Sequence, residues 1–207
     1  MANFFIAYRK VLAKEGGYAN HPSDKGGETY KGIARNYHPT WQGWDIVDAM
    51  KPLHNNQIIQ DVRLDNLVKT FYKLKFWDKL LLDEMSSQDF ANFFFDFYVN
   101  AGNTAVKILQ RILGVRADGV YGPKTHAALM RSNLQSVYAL YFEDRENFYR
   151  SNSQFNTFGR GWLSRLYSFP ATIRQIYNKA KDNPSISILL LIAAAAALFF
   201  LIKYRKK

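Results

Sequence analysis

Apolar residues recur at helical spacing along much of the chain. Phe4, Tyr8 and Val11 lie eleven, seven and four residues before Glu15, which is the spacing of one helix face. Two glycines follow Glu15, and glycine commonly ends a helix. The pattern predicts a first helix from about Ala2 to Glu15, with a carboxylate at the end of its apolar stripe.

Similar spacing predicts further helices over 54–77, 89–101, 103–113, 125–130 and 134–147. The helix over 89–101 carries phenylalanines nearly all round its axis, namely Phe90, Phe93, Phe94, Phe95 and Phe97. A helix that is apolar on every side is buried, so this one is predicted to form the centre of the domain.

Residues 16–40 lack apolar periodicity and are rich in Gly, Asn, Asp, Pro, Ser and Thr. Such a stretch inside a compact domain favours a binding loop or a short hairpin over a passive connector. No strand-like alternation of useful length occurs elsewhere. We therefore predict an all-α fold, which becomes α+β if the glycine-rich loop forms a small hairpin.

The C-terminal segment 186–202 is apolar apart from Ser187, and four of the last five residues are basic. Seventeen helical residues span about 26 Å, slightly less than a hydrocarbon core of about 30 Å. A core helix would show a polar face, and this segment shows none. We predict a transmembrane helix over 186–202 and a basic tail over 203–207.

The formal net charge of +11 predicts attraction to a polyanion or an anionic surface. Nucleic acid, phospholipid headgroups and bacterial wall polymers all fit this charge. We find no nucleic-acid recognition motif, so a basic membrane-associated nucleic-acid binder is the weakest hypothesis and no nucleic-acid partner is expected. There is no cysteine, and the four histidines occur singly. We expect no metal site and no cofactor.

Glu15 is the first candidate catalytic residue. Apolar neighbours and the negative end of a helix dipole both disfavour an ionised carboxylate. A carboxyl group that stays protonated near neutral pH is what a general acid for glycosidic cleavage requires. The alternative is that Glu15 is a solvated residue of the last helical turn.

Asp24 lies nine residues after Glu15 and can supply the second carboxylate that glycoside hydrolysis commonly uses. In that role it orients water or stabilises positive charge on the sugar, and Thr29 helps to position the water. Asp24 is equally explained as an Asx-turn residue. Glu28, in the same loop, is interpreted as structural or solvated.

Four further residues are candidate substrate contacts. Asp96 and Asn100 share one face of the apolar helix, where they either brace the core or line a cleft. Tyr30 and Trp41 lie in the turn-rich region, and each is either a core residue or a surface on which a sugar ring stacks.

The motifs of this region resemble those of a known family. Residues 15–18 read EGGY, 20–22 read NHP, 24–30 read DKGGETY and 32–35 read GIAR. They are similar to the signature of glycoside hydrolase family 108, lysozyme-like N-acetylmuramidases of phage endolysins and bacterial secretion activators. The resemblance implies hydrolysis of the β-1,4 bond between N-acetylmuramic acid and N-acetylglucosamine, with Glu15 as proton donor. Many members have threonine where this chain has Ala34, so any role of that threonine is absent.

A second resemblance covers residues 95–125, which include DGVYGPKT at 118–125. It points to the peptidoglycan-binding domain that usually accompanies this family, and residues 161–165 are similar to the closing Gly-Trp-x-x-Arg element of lysozyme-like domains. We expect a muramidase region over 1–87, a peptidoglycan-binding region of the same compact domain over 88–170 and a basic linker helix over 171–185.

These inferences give a lysozyme-like enzyme of cell lysis or wall remodelling, whose partner is bacterial peptidoglycan. The alternative is a non-catalytic, membrane-anchored peptidoglycan-binding module. The basic C-terminus predicts a single-pass protein of the bacterial inner (cytoplasmic) membrane, with the catalytic domain on the periplasmic or wall side. The amphipathic N-terminal helix predicts no signal peptide. We expect a monomer.

Overall fold

The computed structural model describes residues 1–12, 15–21 and 26–169, which form two compact units that divide after Gln88. The first unit contains α1 (Phe4–Leu12), α2 (Gly43–Ala49), α3 (Val62–Tyr72) and three short strands. A π-helical turn (Lys73–Trp77) and two 3₁₀ turns (Asp78–Leu80 and Leu82–Glu84) follow α3 directly. The second unit contains α4 (Gln88–Ala101), which begins at the boundary, α5 (Asn103–Ile112), α6 (Pro123–Arg131), α7 (Leu134–Arg150) and α8 (Phe155–Tyr167).

The three strands form one antiparallel sheet in the glycine-rich region. They are β1 (Tyr18–Ala19), β2 (Thr29–Tyr30) and β3 (Ile33–Ala34), in the order β1-β2-β3. Tyr30 pairs with both Tyr18 and Ile33, so β2 is the central strand. The all-α prediction is therefore wrong: the fold is mostly helical with a small sheet, which is consistent with a lysozyme-like fold. Strands of two residues are too short to produce a visible alternation of apolar and polar positions.

The core of the first unit is aromatic. The buried face of α1 consists of Phe4, Ala7, Tyr8 and Val11, as its spacing predicts. Phe4 packs edge-on against Trp77 at a centroid distance of 5.6 Å, and Tyr8 against Tyr72 at 5.8 Å. These contacts pack α1 against α3 and the turn that follows it.

The core of the second unit is built around α4. Its phenylalanines are fully buried, which confirms the prediction made from their distribution around the helix. Phe93 stacks on Phe142 of α7 at 5.8 Å, and Phe97 contacts Tyr141 of the same helix at 5.6 Å. Dense aromatic packing of this kind contributes stability beyond the burial of area.

The predicted membrane helix is not retained. Across 1–12, 15–21 and 26–169 the structure contains no helix with the length and apolar character needed to cross a membrane. The predicted span at 186–202, together with the segments 171–185 and 203–207, lies outside the described residues. The fold is therefore that of a mostly helical protein with a small sheet and no assigned membrane span. The predicted single-pass inner-membrane localisation depended on that span and is not supported.

Candidate active site

Glu15 lies just beyond the end of α1, in a bend rather than in the last helical turn. Its backbone N–H donates to the carbonyl of Leu12 at 3.0 Å, and its side chain is partly exposed. The carboxyl group lies against the backbone of Gly32: a Cβ atom added to Gly32 would lie 2.9 Å from Glu15 Oε2. The carboxyl group therefore has one side against the protein, in a residue that is partly exposed.

The chain after Glu15 is held by backbone contacts that require glycine. A Cβ atom on Gly17 would lie 2.2 Å from the carbonyl oxygen of Gln57, closer than any real contact. Next to it, Tyr18 N–H donates to Gln57 O at 2.8 Å, and Asn56 N–H donates to Tyr18 O at 2.7 Å. Strand β1 is thus bonded to β2 on one side and to residues 56–57 on the other, so the segment that directly follows Glu15 is held on both sides.

The turn between β2 and β3 approaches the Glu15 carboxyl group at Gly32. Its two central residues, Lys31 and Gly32, have φ angles of +44° and +78°. Positive φ at both positions is the requirement of a type I′ hairpin turn, the kind that matches the twist of the strands. Lys31 is fixed further by an ion pair of its Nζ with Asp65 at 2.8 Å, and its carbonyl accepts from the Tyr72 hydroxyl at 2.9 Å.

Glu28 links the hairpin to neighbouring residues through its carboxylate. Its carboxylate accepts from the Tyr18 hydroxyl at 2.8 Å and forms ion pairs with Arg35 and Lys51, each at 2.6 Å. Burial and then the bond to Glu28 raise the pKa of Tyr18. The structural interpretation of Glu28 is therefore supported by three partners.

The other predicted residues of the loop are placed as follows. Thr29 lies on β2, and its hydroxyl donates to Gly27 O at 3.1 Å. Asp24 lies outside the described residues. Trp41 is partly exposed and packs edge-on against Trp44 at 5.2 Å and Phe71 at 6.3 Å.

Two family models match the chain in succession. One, described as glycosyl hydrolase 108, matches residues 8–102, and the other, described as a predicted peptidoglycan domain, matches residues 104–167. Residues 8–102 therefore form a glycosyl hydrolase 108 domain, and a predicted peptidoglycan domain follows it. The family and its companion domain support a glycoside hydrolase that acts on peptidoglycan, with a lysozyme-like function.

A solved structure supports the same assignment. The chain is 27% identical to SagA of Brucella abortus, with 84% of this chain and 95% of the SagA chain covered and a TM-score of 0.60. A comparison with curated proteins found no match.

Tyr30 is a core residue of the first unit. Its side chain is fully buried, and its hydroxyl accepts from Ile59 N at 3.1 Å and donates to Ile59 O at 3.4 Å. A ring enclosed in this way has no face on which a sugar can stack, so we do not carry Tyr30 into the proposed substrate contacts.

Asp96 and Asn100 lie in the second unit, within the helix α4. Asp96 is 1% exposed and forms ion pairs with Arg145 and, at 2.9 Å, with Arg165. The Arg145 guanidinium is in turn enclosed by aromatic rings, with Phe97 at 4.7 Å. Of the two interpretations of Asp96, this arrangement supports the one that braces the core. Asn100 is exposed, and its amide donates to Asp96 O, so its contact with substrate stays a prediction.

Sequence reasoning did not find two residues of the site, Gly32 and Tyr72. Gly32 belongs to the GIAR motif, which by itself assigns it no role. Tyr72 lies within the predicted helix over 54–77. The signal that was available is the Lys31-Gly32 pair, since a glycine between two short apolar stretches is typical of a hairpin turn. Nothing local indicates that the turn meets Glu15.

Proposed function

We propose that this protein is an N-acetylmuramidase, which hydrolyses the β-1,4 bond between N-acetylmuramic acid and N-acetylglucosamine in peptidoglycan. Glu15 is the general acid in this proposal. The observation that carries it is the position of Glu15, a partly exposed residue whose carboxyl group lies against the Gly32 backbone of a turn held by several bonds. A fixed, accessible acid is what proton donation to a bound glycan requires.

The reaction assigned to this site is a hydrolysis. Glu15 gives its proton to the glycosidic oxygen, and the bond between that oxygen and the anomeric carbon breaks, with its electron pair going to the oxygen. The oxygen of a water molecule then bonds to the anomeric carbon, and the water loses a proton to a carboxylate. Asp24 orients this water or stabilises the positive charge on the sugar ring, and Thr29 helps to position the water.

The substrate class is supported by two independent features. The companion family model over residues 104–167 is described as a peptidoglycan domain. The net charge of +11 suits an anionic wall polymer. We include Trp41 as a sugar-stacking residue, because its ring is partly exposed and is braced on one side by Trp44 and Phe71.

The test is to identify the sugar at the new reducing end. The full-length protein is incubated with purified peptidoglycan, the released fragments are reduced with borohydride, and the reduced sugar is identified by mass spectrometry. The proposal requires reduced N-acetylmuramic acid. Reduced N-acetylglucosamine would assign the cut to the other glycosidic bond and contradict the proposal.

A second candidate function is peptidoglycan binding without cleavage, which the match to the peptidoglycan domain favours. The two functions differ in a turbidity assay on permeabilised bacterial cells. Clearing by the full-length protein supports the hydrolase, whereas sedimentation of the protein with peptidoglycan and no release of fragments supports the binding module.

A further inference from the structure

The hydroxyl of Tyr72 and the carboxyl group of Glu15 both lie close to Gly32. Tyr72 is the last residue of α3, and its side chain is buried. A Cβ atom added to Gly32 would lie 2.5 Å from Tyr72 Oη and 2.9 Å from Glu15 Oε2. The two oxygens therefore border the same small space above Gly32, a space that exists because the residue there has no side chain.

The direction of the hydrogen bonds decides what this proximity means. The single proton of the Tyr72 hydroxyl is donated to the carbonyl of Lys31 at 2.9 Å. Toward any other neighbour, that hydroxyl can therefore only accept a hydrogen bond. An ionised carboxylate can only accept hydrogen bonds, whereas a protonated carboxyl group donates one. Tyr72 in this orientation is therefore a suitable partner for Glu15 only when Glu15 carries its proton.

The described groups around Tyr72 are compatible with this arrangement. Tyr8 of α1 packs edge-on against Tyr72 at 5.8 Å, and burial raises the pKa of Tyr8 and of Tyr30, so both stay neutral. The charge of Lys31 is paired with Asp65 on α3, at 2.8 Å. The Lys31 carbonyl is kept in place by the hairpin turn, so the Tyr72 hydroxyl has a fixed acceptor.

We propose that Tyr72 is a positioning residue for Glu15, whose hydroxyl donates to the Lys31 carbonyl and accepts the hydrogen bond of the protonated Glu15 carboxyl group. The inference rests on the proposed function, because it explains how the general acid keeps its proton until a glycan is bound. It also gives Gly32 a role, since any side chain there would separate the two oxygens.

The test is an NMR titration of the Glu15 side-chain carboxyl carbon in the full-length protein, for wild type and Tyr72→Phe. Removing the acceptor destabilises the protonated form, so the midpoint is expected to fall by about 0.5–1 pH unit. The basic limb of the pH profile of kcat/KM should move down by the same amount. Activity should then fall by about 3- to 10-fold near pH 7 and remain near wild type at low pH.

Tyr141→Phe is the matched control. It removes a buried tyrosine hydroxyl that donates to a backbone carbonyl, Ala105 O, at the same distance of 2.9 Å, but in the second unit. It should lower the thermal midpoint as Tyr72→Phe does, while leaving the titration of Glu15 and the pH profile unchanged. A pH profile that moves equally in both variants would reduce Tyr72 to a structural role.

Three further outcomes overturn the inference. An unchanged midpoint in Tyr72→Phe means that the hydroxyl does not contact the carboxyl group. A midpoint that rises means that the hydroxyl donates to an ionised Glu15. If Tyr72→Phe does not fold, the wild-type titration decides: a midpoint at or below about 4.3, the ordinary value for glutamate, contradicts the inference. Failure of the proposed function is separate, because it would appear as full activity of Glu15→Gln.

Discussion

Gly32 and Glu15 occupy complementary positions, since the Cβ atom that Gly32 lacks would lie 2.9 Å from Glu15 Oε2. Gly32 has a positive φ of +78°, which favours glycine for the backbone alone. The steric contact adds a second requirement that has nothing to do with the turn. Glycine at position 32 therefore both permits the hairpin conformation and leaves room for the Glu15 carboxyl group.

Gly32→Ala is expected to reduce activity more than it reduces stability. The methyl group must displace the Glu15 carboxyl group, the Tyr72 hydroxyl or both, and misplacement of a reacting group by about 1 Å can reduce the rate by about 100-fold. We expect kcat/KM to fall by about 10- to 100-fold, while the positive φ costs about 1–2 kcal/mol of stability. Steady-state kinetics on peptidoglycan and thermal unfolding measure the two effects.

Gly102→Ala separates the two causes. Gly102 also has a positive φ, of +53°, but a Cβ atom there would meet nothing within 4 Å. This variant should lose stability and keep its kcat/KM. Equal losses of activity in the two variants would show that backbone strain explains the effect and that the contact with Glu15 does not matter.

Asp96→Asn is expected to destabilise the protein without a specific effect on substrate binding. The substitution leaves the fully buried Arg145 without its charged partner, and breaking a buried pair on one side typically costs about 3–5 kcal/mol. Urea unfolding measures the loss. The control Glu146→Gln breaks an ion pair with the half-exposed Arg150, which is worth less than about 1 kcal/mol. A raised KM in a stable Asp96→Asn protein would restore Asp96 as a substrate contact.

Trp41→Ala is expected to weaken substrate binding if Trp41 stacks on a sugar ring. Loss of one aromatic contact of about 1 kcal/mol corresponds to an increase in KM of about 3- to 10-fold, with kcat nearly unchanged. Trp41→Phe keeps an aromatic face and should restore most of the binding. If both variants bind peptidoglycan as wild type does, Trp41 belongs to the aromatic core formed with Phe71 and Trp44.

Stability should fall in acid partly through Asp48. Hydrogen bonds from Arg35 and then Lys51 hold the pKa of Asp48 below its ordinary value of 3.8. Because the folded state binds this proton less readily than the unfolded state, the contribution is present above the ordinary value and is lost as the pH falls through the lowered one. Between about pH 5 and 2.5, the thermal midpoint of wild type should fall more than that of Asp48→Asn. The difference should be about 1–3 °C, since the pair is partly exposed.

The helices were largely predictable from spacing, whereas the sheet was foreseen only as an alternative hairpin in residues 16–40, without its pairing. The all-round phenylalanines of α4 and the stripe of α1 gave correct buried faces because each depends only on local period. The segment 54–61 was predicted as helix but contains a turn at residues 55–56 and no helix, and residues 56–57 bond to Tyr18 of β1. Pairing between segments about 40 residues apart leaves no periodic trace in either one.

The candidate site likewise combines features that local sequence reveals with contacts between distant segments that it does not reveal. Glu15 was identifiable because a carboxylate at the end of an apolar stripe is unusual, and the two glycines after it indicated the end of the helix. The role of Asp96 depended on Arg145, which lies on another helix of the second unit, so the pattern around Asp96 could not distinguish a brace from a binding residue. The proximity of Glu15 and Tyr72 to Gly32 likewise could not be seen without the fold.

The most direct test of the account is the rate of glycan cleavage by full-length Glu15→Gln. Glutamine keeps the shape of the side chain but has no acidic proton to donate, so the rate should fall by about 100-fold or more, with thermal unfolding close to that of wild type. Cleavage at the wild-type rate would show that Glu15 is not the acid. Loss of the folded state would show that Glu15 supports the structure instead of the chemistry.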